Sequence, residues 1–196
     1  MKVLVVYCHP CEESYVSAVK SSVISGLQEG GHEIRLIDLY AEDFRPQMNA
    51  EERRRYHDRG VNVETVSEHV DRVLWAEGIV FVYPTWWYGL PAMLKGWIDR
   101  VLVPHVAFTM PTEAQGIRGK LRNIRRMAVV TTCGASWLLS KFVGEPGRRT
   151  LLRGVRSICH PLCRTSYLAL YKMDTVSAAA RGAYLETVRA RMRSLR

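Results

Sequence analysis

Hydroxyl side chains follow the first apolar run of the sequence and open a segment with helical spacing. Ser14 and Ser17 come after the run 2–7 and the intervening loop 8–13. Because the amide groups at a helix N-terminus bind anions, this pattern predicts a single phosphate group held by the two serines and by helix amides. An alternative remains open, in which Ser14 only caps its own helix.

A second group of residues suited to ligand binding lies in the loop 84–90. It contains Trp86, Trp87 and Tyr88, which can form a flat apolar wall for a large aromatic ligand. The next apolar run ends in 131–134, Thr-Thr-Cys-Gly, where glycine lets backbone N–H groups approach a ring edge. We therefore expect an aromatic ring system across these two chain segments. In the alternative interpretation, both tryptophans pack inward onto the following helix.

Alternating strands and helices must position these loops. Apolar runs without polar alternation are typical of parallel strands buried on both faces. Together with the segments of helical spacing, they predict an α/β fold: a doubly wound parallel sheet of five strands with helices on both faces. The predicted strands are 2–7, 32–39, 78–83, 126–132 and 164–171, and the predicted helices are 14–28, 65–76, 91–102, 150–159 and 176–193.

The first loop distinguishes between two doubly wound folds. A dinucleotide-binding fold would place Gly-x-Gly-x-x-Gly after the first strand, and the sequence has no such motif there. This absence favours the flavodoxin-like strand order 2-1-3-4-5, whose ligand crevice lies at the switch between the first and third strands.

Length and composition set the broad class. The chain has 196 residues, of which 47% are hydrophobic and 24% charged, so we expect one globular domain over 1–196. The net charge of +9 would suit a polyanion, but the basic stretches 53–55, 118–126 and 189–196 lack interleaved aromatic residues, and we expect no nucleic-acid partner. With neither a secretory leader nor a long apolar window in the sequence, we expect a cytoplasmic protein without membrane insertion.

Cysteine spacing suggests two further chemistries. Cys8 and Cys11 have the spacing of a redox pair, and the stretch 159–163, Cys-His-Pro-Leu-Cys, offers three potential zinc ligands. Because Cys8 ends a predicted buried strand, we expect ordinary thiols and no metal site. A thiol-redox or zinc role remains open as an alternative.

The stretch 83–101 resembles the flavodoxin-fold NAD(P)H:quinone oxidoreductases and their bacterial relatives. It reads Tyr-Pro-Thr-Trp-Trp-Tyr-Gly-Leu-Pro-Ala-Met-Leu-Lys-Gly-Trp-Ile-Asp-Arg-Val. The residues His9-Pro10, Ser14, Asp38-Leu39-Tyr40 and Thr131-Thr132 match the same family in order and spacing. The resemblance covers most of residues 1–135 and weakens afterwards.

This resemblance implies a homodimeric flavoprotein with FMN or FAD as cofactor and NADPH or NADH as electron donor. It implies ping-pong hydride transfer of two electrons to quinones or similar aromatic acceptors; the flavin N5 does the chemistry, and no side chain is assigned a catalytic role. The implied flavin-binding residues are His9, Ser14, Tyr15, Val16 and Ser17 near the phosphate, Pro84, Thr85, Trp86, Trp87 and Tyr88 along the ring system, and Thr131, Thr132, Cys133 and Gly134 at its pyrimidine end.

The sequence also departs from the family pattern. Cys133 stands where many members have Gly, and Tyr15-Val16 where they have Phe-Asn. The Tyr and His that the best-known members carry after this turn are absent from 135–142, so we expect Trp137 to shape the substrate slot and water to supply the proton. Because some relatives attach to membrane transporters, an alternative function is that of a flavin-binding accessory subunit.

Overall fold

A computed structural model describes residues 1–195. Its sheet has five parallel strands in the order β2-β1-β3-β4-β5, which confirms the predicted α/β class and strand order. The register pairs Tyr7 with Val82 and Pro84 with Thr132, so β1, β3 and β4 end at one edge of the sheet. The strands are β1 Lys2–Tyr7, β2 Glu33–Asp38, β3 Gly78–Pro84, β4 Arg126–Thr132 and β5 Arg164–Leu170.

The helices alternate with these strands. Serine side chains cap three of them, with Ser14, Ser136 and Ser177 accepting N–H bonds at the starts of α1, α5 and α7. Over residues 1–195 the α-helices are α1 Tyr15–Glu29, α2 Ala50–Arg54, α3 Ser67–Trp75, α4 Ala92–Val101, α5 Trp137–Val143, α6 Pro146–Arg149 and α7 Ala178–Arg193. A 3₁₀ segment covers Val61–Val66, and a π-helical segment covers Thr150–Val155.

The sequence interpretation missed two short helices and misplaced one boundary. The predicted helix 150–159 was wrong at its start, because α6 begins at Pro146 and continues directly into the π-helical segment. Proline suits the first turn of a helix, where its missing N–H leaves no bond unmade. The short helices α2 and α5 were not predicted; in α5 the apolar residues Leu138, Leu139 and Phe142 face outward, so no polar face marks the helix.

Two apolar layers cover the sheet. Strand β1 shows the alternation, because Val3 and Val5 face α1 and α7, whereas Leu4 and Val6 face the layer of α3, α4 and the π-helical segment. Each fully buried aliphatic side chain of this kind stabilises the fold by roughly 1.5–3 kcal/mol. Among the helices within residues 1–195, none combines the length and apolar character needed to cross a membrane.

Candidate functional site

Three loops meet at the carboxyl edge of the sheet. The rings of His9, after β1, and Trp86, after β3, have centroids 6.3 Å apart and are tilted by 55°. The Thr85 N–H donates to the Thr132 carbonyl at 2.7 Å, which joins the loop after β3 to the end of β4. We call the space bounded by loops 8–14, 85–90 and 133–136 the crevice. The two loops singled out for ligand binding are therefore neighbours.

The first wall of the crevice is the start of α1. The Ser14 hydroxyl accepts the Ser17 N–H at 3.2 Å, as a helix cap does. The N–H groups of Tyr15 and Val16 have no acceptor within the described chain, and they remain available to an anion. The Tyr7 hydroxyl lies beside the Ser14 and Ser17 side chains, and burial raises its pKa. Capping and anion binding are thus compatible here.

The side chains of the next two residues have structural roles. The Tyr15 hydroxyl donates to the Arg181 carbonyl at 2.7 Å, which ties α1 to the start of α7. Val16 is buried in the apolar layer between the sheet and these helices. Their contribution to the crevice is therefore a pair of backbone N–H groups. The His9 ring accepts the Cys11 N–H at 3.0 Å and so stabilises the loop before α1.

The second wall is a tight turn of aromatic residues. Trp86 is 43% exposed and Trp87 is 94% exposed, so inward packing of both tryptophans is wrong. The Gly89 N–H donates to the Trp86 carbonyl at 2.9 Å, and the two central residues, Trp87 and Tyr88, have φ of 48° and 59°. Such backbone angles are strained for bulky residues and concentrate at functional sites.

Helix α6 supports this turn from behind. The Gly147 N–H donates to the Tyr88 carbonyl at 3.3 Å. A Cβ at Gly147 would lie 3.0 Å from the Gly89 carbonyl carbon, tighter than ordinary van der Waals contact. The absence of a side chain at Gly147 therefore lets α6 approach the backbone of the aromatic turn closely.

The ends of β3 and β4 are bound together by threonines. The buried Thr131 hydroxyl donates to the Tyr83 carbonyl at 2.7 Å and lies 2.9 Å from the Thr85 hydroxyl. Pro84 and Thr132 are also buried, directly opposite each other in the register. Thr131 therefore positions Thr85, which lies closer to the crevice.

Backbone N–H groups after β4 divide into paired and unpaired ones. The Cys133 N–H donates to the Leu170 carbonyl at 2.8 Å and extends the sheet. The N–H groups of Gly134 and Ala135 have no acceptor in the part of the chain that the structure describes. A Cβ at Gly134 would lie 2.7 Å from the Asp174 carboxylate, so a bare backbone is favoured there. Of the two expected residues Cys133 and Gly134, only Gly134 thus has an available N–H group, and Ala135 adds a second one.

A buried carboxylate next to the crevice was not anticipated from the sequence. Glu145, 7% exposed and at φ 47°, accepts bonds from Lys141 Nζ at 2.6 Å, Arg148 Nη1 at 2.8 Å and the Tyr171 hydroxyl at 2.6 Å. Burial opposes its charge, but these bonds outweigh burial and lower the pKa of Glu145 to about 2. We call Lys141, Glu145, Arg148, Tyr167 and Tyr171 the glutamate cluster.

The glutamate cluster and the crevice share a cavity. Its lining includes Thr85 and Tyr88 from the aromatic turn together with Glu145, Tyr167 and Tyr171. Burial raises the pKa of Tyr167 to about 12, and burial with the bond to Glu145 raises that of Tyr171. Both phenols therefore keep their protons at neutral pH. The sequence contains only a weak indication of the glutamate cluster. It has a Lys and a Glu four residues apart, and two tyrosines on one face of β5 and its continuation.

Helix α5 presents apolar side chains beside the crevice. Trp137 is the first residue of this helix and is 55% exposed, with Lys141 Nζ 5.8 Å from its ring centre. Leu138 and Phe142 are 72% and 88% exposed. The structure thus places Trp137 on a broad apolar surface rather than in the core.

All five cysteines are free thiols. Cys8 is buried, and burial raises its pKa to about 12, which makes it a poor nucleophile. The Cys159 and Cys163 thiols contact each other, and this contact raises the pKa of Cys159 and lowers that of Cys163. The Cys8–Cys11 and Cys159–Cys163 spacings accordingly correspond to no disulfide within residues 1–195.

Known proteins resemble this chain over its whole length. The model of a family described as flavodoxin-like fold matches residues 1–195. The structure of Smu.1420 from Streptococcus mutans UA159 superposes with a TM-score of 0.86 at 29% identity, covering 100% of both chains. An NAD(P)H:quinone oxidoreductase from Methanothermobacter marburgensis superposes with a TM-score of 0.83 at 27% identity, covering 99% of this chain and 98% of the other.

Curated relatives match over a shorter stretch. An uncharacterized NAD(P)H oxidoreductase of Haemophilus influenzae is 34% identical over 132 residues, which is 67% of this chain and 64% of the relative. Among the first three curated relatives the covered share ranges from 43% to 64%. The chain thus spans about half the length of the curated relatives it matches.

Proposed function

The chain belongs to the flavodoxin-like fold family, and on that premise we propose that it is a flavin-dependent NAD(P)H oxidoreductase. It passes two electrons, by ping-pong hydride transfer, to quinones or similar flat aromatic acceptors. One observation carries the proposal: the capped helix start and the exposed tryptophan turn border the same crevice, with His9 and Trp86 side by side.

The residues of the crevice fit a flavin. The unpaired N–H groups at the start of α1, with the Ser14 and Ser17 side chains, suit a phosphate. Trp86 and Trp87 offer an aromatic surface for a ring system, and the N–H groups of Gly134 and Ala135 offer donors to its polar edge. A bound flavin would supply the hydride-transfer chemistry, which no side chain of the protein can perform.

The protein's own groups would bind the flavin, orient its ring system and polarise its edge. The start of α1 anchors the phosphate, and the tryptophan turn excludes water from one face of the ring system. The N–H groups of Gly134 and Ala135 stabilise negative charge at the ring edge, because fixed dipoles need no reorganisation when charge develops. Thr131 holds Thr85 in place through their paired hydroxyls.

Water supplies the proton to the reduced acceptor. The two phenols in the adjoining cavity are poorly suited to that task, because the Tyr171 hydroxyl donates a hydrogen bond to Glu145 and burial raises the pKa of Tyr167. This supports the expectation drawn from the absence of a Tyr and a His in 135–142.

The functional unit is a cytoplasmic homodimer of single-domain chains. The exposed apolar surface of α5, with Leu138 and Phe142, adjoins the crevice, and surfaces of this kind mark protein interfaces. A second copy of the chain on this surface would cover the open side of the crevice and exclude solvent from it.

Purification tests the proposal. The chromophore is released by heat and identified by chromatography, which also decides between FMN and FAD. The holoprotein is then assayed for NADH and NADPH oxidation with menadione as acceptor, and its mass is measured by light scattering. A yellow dimer with rapid turnover is expected. A colourless protein that takes up neither flavin would contradict the cofactor, and a flavin-loaded protein without turnover would contradict the activity.

A further inference from the structure

Four cations line one groove beside the edge strand β5. They are Lys141, Arg148, Arg149 and Arg153, and among the lining residues within 1–195 the only carboxylate is Glu145. We call these four residues the basic groove. Since one negative charge stands against four positive ones, the groove is strongly electropositive and attracts anions.

The charges in the groove are unevenly paired. Glu145 is bonded to Lys141 at 2.6 Å and to Arg148 at 2.8 Å. Arg149 and Arg153 are exposed, and their guanidinium groups make no hydrogen bond or ion pair with any of residues 1–195; only their backbone groups are bonded, within the helical segments. Two guanidinium groups are therefore free for a ligand, and guanidinium binds phosphate with two parallel hydrogen bonds.

The backbone that carries these arginines is unusual. Arg149 ends α6, and Arg153 lies within the π-helical segment, where the Arg156 N–H reaches back to the Leu151 carbonyl. Single π-helical turns are rare and occur frequently at functional sites. Gly144, at φ 91°, makes room for Arg149, since a Cβ there would lie 3.3 Å from the guanidinium carbon. Local backbone geometry thus accommodates the free cations.

The basic groove lies next to the site, because it shares two residues with the small cavity beside the aromatic turn. Glu145 and Arg148 line both the groove and the cavity that contains Thr85 and Tyr88 of the aromatic turn. A ligand with a ring in the crevice and a phosphorylated tail lying over the surface at Arg148 would bring that tail to the free arginines. Steering by these cations would also speed the approach of such a ligand.

We propose that the basic groove binds the 2′-phosphate of NADPH and makes NADPH the preferred donor over NADH. The inference rests on the proposed function, because it assumes a pyridine nucleotide as donor. Both nucleotides carry a diphosphate, whereas the 2′-phosphate is present on NADPH only. An arginine pair with no other partner is the arrangement that would distinguish them.

Calorimetry with nucleotide fragments tests the groove without relying on activity. The purified protein is titrated with adenosine 2′,5′-bisphosphate and with 5′-AMP, and the double variant Arg149→Gln/Arg153→Gln is titrated in parallel. We expect the bisphosphate to bind more tightly than 5′-AMP, and the double variant to lose about tenfold in bisphosphate affinity while 5′-AMP binding is unchanged. The control is Arg164→Gln/Arg191→Gln, which removes the same charge from a neighbouring cavity that has only Thr165 in common with the groove.

Steady-state kinetics of the holoenzyme adds a second readout. In the double variant KM for NADPH rises about tenfold, with kcat and the KM for NADH unchanged. Equal affinities of the wild type for the two fragments, or equal losses for both in the double variant, would overturn the inference. Selective bisphosphate binding by a protein without flavin or turnover would uphold the groove and refute the proposed function, so the two failures are distinguishable.

Discussion

The two sides of the crevice are built on different principles. The loops after β1 and β3 offer backbone N–H groups and exposed aromatic rings, and few of their side chains pair with one another. The glutamate cluster after β4 is a set of closely bonded charges with a buried carboxylate at its centre. This difference agrees with the proposal that the first side receives a ligand, whereas the bonded charges of the second side hold its shape.

Removing the charge of the buried carboxylate should have the largest effect. Glu145→Gln leaves Lys141 and Arg148 without their anion, so we expect the free energy of unfolding to fall by about 3 kcal/mol in urea denaturation. The control is Asp99→Asn, because Lys95–Asp99 is also an i,i+4 pair, at 2.6 Å, but about half exposed. That variant should lose less than about 0.5 kcal/mol. Equal losses in the two variants would mean that the cluster is no more structural than a surface pair.

Acid should weaken the same side of the crevice. The pKa of Glu145 is lowered from 4.5 to about 2, so the folded state favours the charged form. Its contribution to stability is therefore complete above pH 4.5 and is lost as the pH falls towards 2. Thermal unfolding between pH 2 and pH 5 measures this, and the slope should be shallower in Glu145→Gln. Identical slopes in wild type and variant would show that other carboxylates dominate.

A substitution on the side of the crevice formed by the loops after β1 and β3 should lower ligand affinity and leave stability unchanged. Trp87→Ala removes a side chain that is 94% exposed, so we expect unchanged stability together with a loss of about tenfold in flavin affinity. Leu162→Ala is a matched control, since Leu162 is 76% exposed and precedes β5, away from the carboxyl edge of the sheet. Flavin fluorescence titration and thermal unfolding give the two readouts. A destabilised Trp87→Ala variant with normal flavin affinity would reverse the distinction.

The smallest effect on stability and flavin affinity is expected at Thr131, which connects the ends of β3 and β4. Thr131→Val keeps the shape of the side chain but leaves the buried Tyr83 carbonyl without this hydroxyl donor. We expect a loss of about 1 kcal/mol in unfolding free energy and a flavin affinity lowered about twofold to fivefold. Thr165→Val, at an exposed position of β5, should change neither quantity. A Thr131→Val variant as stable as the wild type would remove its positioning role.

The features that could be predicted from the sequence lie mainly on the side formed by the loops after β1 and β3, and those that could not lie mainly in the glutamate cluster. The sheet, Ser14 and the tryptophans were accessible from the sequence, because apolar runs and short-range motifs report strands and the loops that follow them. The side chains of Tyr15 and Val16 turn into structural contacts, which only the packing against α7 reveals. The glutamate cluster combines residues from α5, α6 and β5, and no local pattern connects positions so far apart in the chain.

Helix α5 shows a second limit of sequence reasoning. Its outward apolar side chains would be assigned to a core by the usual rule, although Phe142 is 88% exposed. A helix whose exposed face is apolar does not show the alternation of apolar and polar faces that identifies a helix packed within its own chain. That the Cys133 N–H is not a free donor depends likewise on its bond to the Leu170 carbonyl, which requires the sheet to be known.

Titration of the flavin-free protein with FMN and with FAD, followed by flavin fluorescence, tests the central claim most directly. The account predicts saturable binding of at least one of the two flavins with one site per chain, weakened by Trp87→Ala and unaffected by Leu162→Ala. A folded protein that binds neither flavin in a saturable manner would contradict it.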